Sequence, residues 1–214
     1  MSSIPFDFHT HRLGAPDALI SVSPRQFSPE PGRWYSVGIH PWDTATLIDA
    51  DEAWLERAAR HPQVLALGET GLDRLRGAPL EVQRAVFALH LSLAAAVGKP
   101  LVVHTVRTAQ DVLEQRRVMG LDATVTLAIH GMRANQHVAR QLLDAGCYLS
   151  YGERFNPAAL LATPLDRLLI ETDDGPATIH QVASTVASAL ATDVDTLIDV
   201  TRRNALSLLH MQQG

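Results

Sequence analysis

Six side chains in this 214-residue chain have the donor chemistry to share metal ions, and each stands where an apolar run ends. They are His9, His11, Glu69, His104, His130 and Asp173. In His9-Thr10-His11 the imidazoles are two residues apart, so on extended backbone both point to one side and can meet one ion. Taken alone, that pair reads equally well as polar residues leaving a strand. His104 and His130, each behind apolar residues, read alone as core or loop histidines. Glu69 follows Val64–Leu67 and Asp173 follows shortly after Leu168–Ile170. A carboxylate so placed is seldom buried unless it is paired or bound to a metal, and arginine ion pairs are the ordinary alternative. The joint pattern is more specific than its parts. Four imidazoles and two carboxylates suffice for two divalent ions, one on His9, His11 and Asp173, the other on His104 and His130, with Glu69 between them.

For these residues to meet, the elements carrying them must end on one face. Eight short runs rich in aliphatic and β-branched residues read as strands: Ile4–Phe8, Ala18–Val22, Trp34–Ile39, Val64–Gly68, Leu101–Val103, Val125–Ile129, Cys147–Ser150 and Arg167–Glu171. Most lack alternation, as parallel strands covered on both faces do. Helical patterns lie between most of them, over Thr44–Arg60, Leu80–Val97, Thr108–Met119 and Asn135–Ala145, and two more follow, over Thr178–Ala191 and Asp195–Met211. Eight alternations predict a (β/α)8 TIM barrel, with an open doubly wound sheet as the structural alternative. Such barrels usually need about 250 residues. The shortfall falls in the first two crossovers, His11–Asp17 and Ser23–Arg33, neither of which has room for a full helix. Residues 1–214 read as a single barrel domain, without an internal repeat or a linker.

Composition sets further bounds. With 46% apolar and 19% charged residues the chain is ordinary globular material, which excludes disorder and coiled coil. The longest nearly apolar stretch, Ala85–Gly98, falls short of the about 20 residues of a membrane span. The N-terminus has no basic leader, so no membrane association and a cytoplasmic location are expected. Cys147 is the one cysteine, which excludes a disulfide framework and a cysteine-rich zinc site. Net charge is −5, so broad non-specific duplex binding is not expected. Of 18 basic residues, 17 are arginine and only Lys99 is lysine. Lys99 stands before the fifth strand, at the wrong end of a barrel to bridge two ions as a carbamate, and the bridging group falls to Glu69.

The motifs resemble those of the TatD family of metal-dependent hydrolases, within the amidohydrolase-like barrel superfamily. The matching segments are Phe8-His9-Thr10-His11, Gly38-Ile39-His40-Pro41-Trp42, Gly68-Glu69-Thr70-Gly71-Leu72-Asp73, Pro100-Leu101-Val102-Val103-His104, Ile129-His130-Gly131 and Glu171-Thr172-Asp173. The resemblance runs from residue 8 to residue 204 and implies the same barrel. It implies that His9, His11, Glu69 and Asp173 hold one metal and Glu69, His104 and His130 a second. It also places His40 at the rim near substrate and makes Asp73 a group that steadies its loop. The implied activity is metal-dependent hydrolysis of phosphodiesters, DNase-like and exonucleolytic. Departures fall in the loops: Thr105-Val106-Arg107 moves an arginine by one place, and Asp174-Gly175-Pro176-Ala177 is abridged.

In that chemistry a metal-activated water attacks phosphorus, with Glu69 and Asp173 as the catalytic carboxylates and Asp173 as general base. Arg107, Arg133 and Arg154 follow strands five, six and seven and could clamp phosphate oxygens, although each singly reads as a surface ion pair. Imidazole-rich ligands favour Zn or Mn, and family habit adds Mg. Ligation needs neutral imidazoles, so activity should fall below about pH 6. A strand end or short single strand suits a small site better than a duplex, and Trp42 beside His40 could stack a base. Other readings stand beside this one: a small-molecule phosphate-ester, amide or lactone hydrolase, or a non-catalytic metal-binding barrel. The thinly covered side near Ser23–Arg33 would suit a partner subunit.

Overall fold

A computed structural model describes residues 4–211. Its strands are β1 (Asp7–Thr10), β2 (Ala18–Val22), β3 (Trp34–Val37), β4 (Val64–Asp73), β5 (Leu101–Val106), β6 (Leu127–Ile129), β7 (Tyr148–Tyr151) and β8 (Leu168–Ile170). They form one sheet in the order β1 to β8, and a parallel bridge from Asp173 to Thr10 returns the last strand to the first. The helices are α1 (Asp49–Ala59), α2 (Leu80–Val97), α3 (Ala109–Val118), α4 (Gln136–Asp144), α5 (Pro157–Leu161), α6 (Ile179–Ala189) and α7 (Val194–Leu208). This is a (β/α)8 TIM barrel whose first two crossovers carry no helix, as their length requires.

Several boundaries differ from the expected ones for identifiable reasons. The first strand begins at Asp7 rather than Ile4, which is 57% exposed. The pattern over Thr44–Arg60 divides into a 3-10 turn at Pro41–Thr46 and α1, because Leu47 and Ile48 are extended. Strand β4 does not stop at Gly68 but continues to Asp73, its residues 70–73 paired in register with Val103–Val106 of a correspondingly longer β5. A register shift between Leu67 and Thr70 accommodates Glu69. Such a bulge re-aims the side chain it carries. Helix α5 was not anticipated. Five residues are too few to show a period, and it is set by the Asn156 carboxamide oxygen, which accepts from the amides of Ala158 and Ala159.

The chain divides into two compact units, one running to Ile20 and resuming at Ile129, the other Ser21–Ala128. The core of the first includes Phe8, Leu149, Tyr151, Leu168–Ile170, Val182, Val186, Leu197 and Leu206. That of the second includes Leu67, Leu72, Phe87, Leu91 and Leu101–Val103. Helix α2 is long and apolar enough by composition to cross a membrane. It is nonetheless a core helix of the second unit, with Val86, Phe87, Leu91 and Ala94 buried and the helix packed on β4.

A polar residue in that core fixes the end of β3. His90 is fully buried; its Nδ1 donates to Val86 O at 2.8 Å and its Nε2 accepts from Ile39 N at 3.0 Å. Burial lowers the His90 pKa from 6.5 to about 4, against the carbonyl of Val86, which favours the charged ring. As pH falls below 6.5 the unfolded chain therefore takes up this proton before the folded one does. The contribution is complete above 6.5 and is lost as pH falls towards 4, up to about 3 kcal/mol. His90→Gln removes the titration, and its thermal midpoint relative to the parent should rise as pH is lowered from 7 to 4.5. A constant difference across that range would contradict the assignment.

Candidate metal-binding clusters

In the first unit, β1 and the segment after β8 lie side by side and bring three donors together. Asp173 N donates to His9 O at 2.9 Å, and His11 N donates to Asp173 O at 3.4 Å. Asp173 Oδ1 is then 3.7 Å from His9 Nε2 and 3.6 Å from His11 Nε2. The three residues offer ligand atoms all within 4.8 Å of one another. His9 is fully buried, whereas the Asp173 side chain is 23% exposed and open to water. Asp173 has φ of 52°, a left-handed conformation that Asp and Asn adopt more readily than most residues. The loop beyond it is tied down by the Arg12 guanidinium, which donates to Gly175 O and to Ala177 O.

His130, directly after β6, has its ring 4.3 Å from that of His9. Behind it stands Glu171, fully buried, whose Oε1 accepts from Gly131 N at 2.6 Å and lies 3.5 Å from His130 Nδ1. Burial pushes the Glu171 carboxyl up, but His130, His9 and Ser150 together outweigh it and hold it below its ordinary value. A carboxylate behind an imidazole sets the ring's orientation and its basicity, as in metal sites generally. Glu171 was missed as an individual functional residue. A signal existed, because two residues from Asp173 on extended backbone it shares that residue's side. Asp7 backs the cluster too: its carboxylate accepts from Thr172 N at 2.9 Å and Thr172 Oγ1 at 2.6 Å, and burial raises it to about 6 despite those bonds.

The second unit builds its own cluster on β4 and β5. Glu69 Oε1 is 2.8 Å from His104 Nδ1 and 2.9 Å from His40 Nε2, so these three form another donor set within 4.8 Å. His40 is reached from the 3-10 turn, where its Nδ1 accepts from Trp42 N at 3.1 Å. Gly71 makes the cluster possible. Its φ is 138°, and a Cβ there would sit 2.1 Å from His104 O. Asp73 joins the set: Oδ2 lies 3.3 Å from His104 Nε2 and accepts from Trp42 Nε1 at 2.6 Å. Its Oδ1 accepts from Leu75 N at 2.7 Å and Arg76 N at 3.2 Å. Burial pushes the Asp73 carboxyl up, but the hydrogen bonds from Trp42, Leu75 and His104 bring it below the usual aspartate value.

The three expected phosphate-binding arginines sit on loops. Arg107, Arg133 and Arg154 are all exposed, and no side-chain hydrogen bond or ion pair engages them among the described residues. Imidazole nitrogens beside carboxylate oxygens, with Asp173 and Glu171 facing histidines rather than arginine or lysine, are the donor chemistry a divalent cation requires.

Residues 26–210 match the family model described as TatD related DNase. The chain belongs to the TatD family. Among TatD-related proteins, it is 40% identical over 158 residues to one from Mycobacterium tuberculosis named an uncharacterized metal-dependent hydrolase TatD, covering 68% of this chain and 59% of that protein. The Escherichia coli YcfH protein, also named an uncharacterized metal-dependent hydrolase, is 30% identical over 202 residues, 83% of this chain and 74% of its own. A Cronobacter turicensis protein named 3'-5' ssDNA/RNA exonuclease TatD is 36% identical over 152 residues, 66% of this chain and 57% of that one. This TatD-family chain thus spans less than two thirds of the length of some of its relatives. In fold it matches the crystal structure of YjjV, a TatD homologue from E. coli, with a TM-score of 0.86, 18% identity and coverage of 99% and 100% of the two chains.

Proposed function

We propose that this chain is a divalent-metal-dependent hydrolase of phosphodiester bonds, acting on the end of a nucleic-acid strand. The observation that carries this reading is that each unit gathers imidazole nitrogens and a carboxylate oxygen within 4.8 Å, on different loops and strands. The family supports the reaction class, and the exonuclease name of the Cronobacter relative supports a single-stranded substrate.

In this reading His9, His11 and Asp173, with His130 beside them, hold an ion in the first unit, and Glu69 and His104 hold one in the second. Bound Zn or Mn, or Mg, supplies Lewis acidity and a lowered water pKa. The protein's part is to orient and to move protons. Glu171 holds the His130 ring, and Asp73 holds that of His104. Asp173, the carboxylate with solvent access, accepts the proton of the attacking water. The unengaged guanidinia of Arg107, Arg133 and Arg154 are free to fork onto phosphate oxygens, and His40 meets substrate from the turn after β3.

The test is hydrolysis of bis-p-nitrophenyl phosphate by metal-stripped protein refilled separately with Zn, Mn and Mg, alongside His130→Ala. Turnover should return with metal and fall by about 10-fold to 100-fold or more in the variant. If every metal binds and no phosphate ester is cleaved, the phosphodiesterase reading is wrong.

A further inference from the structure

Three tryptophans occur in the chain, and they are not equivalent. Trp34 and Trp54 are partly buried, while Trp42 leaves 44% of its surface in solvent. An exposed indole is costly in unmade contacts, because its flat apolar body is the largest of any side chain. Trp42 is exposed but not loose. Its Nε1 is held by Asp73 Oδ2 at 2.6 Å, and its backbone amide by His40 Nδ1 at 3.1 Å. Its ring is nearly perpendicular to those of His40 and His104, at 4.7 and 5.7 Å between centroids. The plane of an exposed aromatic ring is thus fixed by the very residues that carry the Glu69 cluster.

A cation accompanies the ring. The Arg76 guanidinium lies over the Trp42 ring, 4.4 Å from its centroid, and Arg76 is itself exposed, so a base stacks on the opposite face or in place of the cation once that cation turns to a phosphate. The loop that presents it is rigid at the backbone. Gln83, buried in α2, accepts from Asp73 N at 2.8 Å and donates to the carbonyls of Asp73, Arg76 and Ala78 at 2.7 to 3.0 Å. A fixed flat ring with an exposed cation over it, beside the Glu69 cluster, suits a ligand that is planar and carries an anion close to its planar part. A nucleotide of a single strand has both parts. A paired base cannot offer its face, so the same arrangement excludes a duplex interior.

We propose that Trp42 is the stacking platform for one unpaired nucleobase of the substrate, and that Arg76 pairs with the phosphate attached to it. This rests on the phosphodiesterase reading above and names the feature of substrate that sets its specificity. Base–aromatic stacking tolerates any base, because each has a π-face, so the platform selects single-strandedness and not sequence.

The test uses thymidine hexanucleotides in which 5,6-dihydrothymine replaces thymine at each position in turn. The replacement keeps the hydrogen-bonding edge and removes the planar face. In the parent protein one position should show a loss of about tenfold in kcat/KM on replacement. In Trp42→Ala the thymine and dihydrothymine hexamers should be cut with a ratio near one. Trp42→Phe, a milder change, should keep part of the ratio, and Arg76→Ala should weaken binding of all the hexamers. Equal losses on both hexamers in Trp42→Ala, with the ratio kept, would show that Trp42 merely positions Asp73 and would overturn the proposal. So would a parent enzyme indifferent to every replacement. Fluorescence anisotropy of the same labelled hexamers, read without turnover, separates the two claims. Base-dependent binding without cleavage would sink the hydrolase reading and leave the platform; cleavage without base dependence would do the reverse.

Discussion

Asp173→Asn should lower phosphodiester turnover by about two to four orders of magnitude, the usual range for loss of a positioned general base. The substitution is chosen because it changes little else. Asn tolerates the left-handed backbone of this position as Asp does, so the φ of 52° need not relax. The backbone bonds to His9 O and from His11 N do not involve the side chain. What goes is a negative charge that faces His9 and His11, and with it both a metal ligand and a proton acceptor. Metal titration separates the two losses. If saturating metal restores turnover to within tenfold of the parent, Asp173 binds metal and is not the base. If the deficit persists at saturation while the thermal midpoint is unchanged, the proton-accepting role stands.

The second large effect is structural. Gly71→Ala should leave little folded protein at 37 °C. The new Cβ would lie 2.1 Å from His104 O and 3.0 Å from His104 C and N, all backbone atoms of the adjoining strand, at a φ of 138°. Neither strand can yield without breaking the pairing that places Glu69 beside His104. Strain and lost pairing of several kcal/mol consume much of a stability that is typically about 5–15 kcal/mol. The control is Gly98→Ala, where φ is also positive, at 67°, but nothing lies within 4 Å. That variant should lose only about 1 kcal/mol, a few degrees of midpoint. Similar midpoints for the two variants would show that the close approach at Gly71 does not matter.

The barrel was legible because its strands are short aliphatic runs between helical stripes, and burial on both faces erases the alternation that would have blurred the count. Where reading failed, a local signal contradicted a tertiary one. Gly68-Glu69-Thr70-Gly71 has the composition of a strand end, yet it is strand because β5 pairs alongside it. The two glycines that suggest a break are what permit the approach. His90 stands inside the nearly apolar stretch Ala85–Gly98, and only its bond from Ile39 N shows why a histidine is there. Of the site, the six candidate ligands were visible as polar residues after apolar runs. Glu171 was masked by its neighbour Asp173, because a carboxylate that orients a ligand and one that binds metal look alike in sequence. That no side-chain partner engages the three arginines among the described residues has no sequence signature at all, since what is missing is a contact.

The side chain of Gln83 touches its loop through main-chain atoms alone: one amide and three carbonyls between Asp73 and Ala78. None of those contacts depends on which side chains the loop carries at Arg74, Leu75 or Arg76. Arg74 also ties the loop to Arg107 O and Asp111 through its side chain, so it is Leu75 and Arg76 that descent with modification can rewrite without disturbing the path of the chain, and a library randomised at those two positions would sample new ligand preferences on a scaffold that does not change. The helix acts as a bracket for an interchangeable part beside a donor cluster that stays in place.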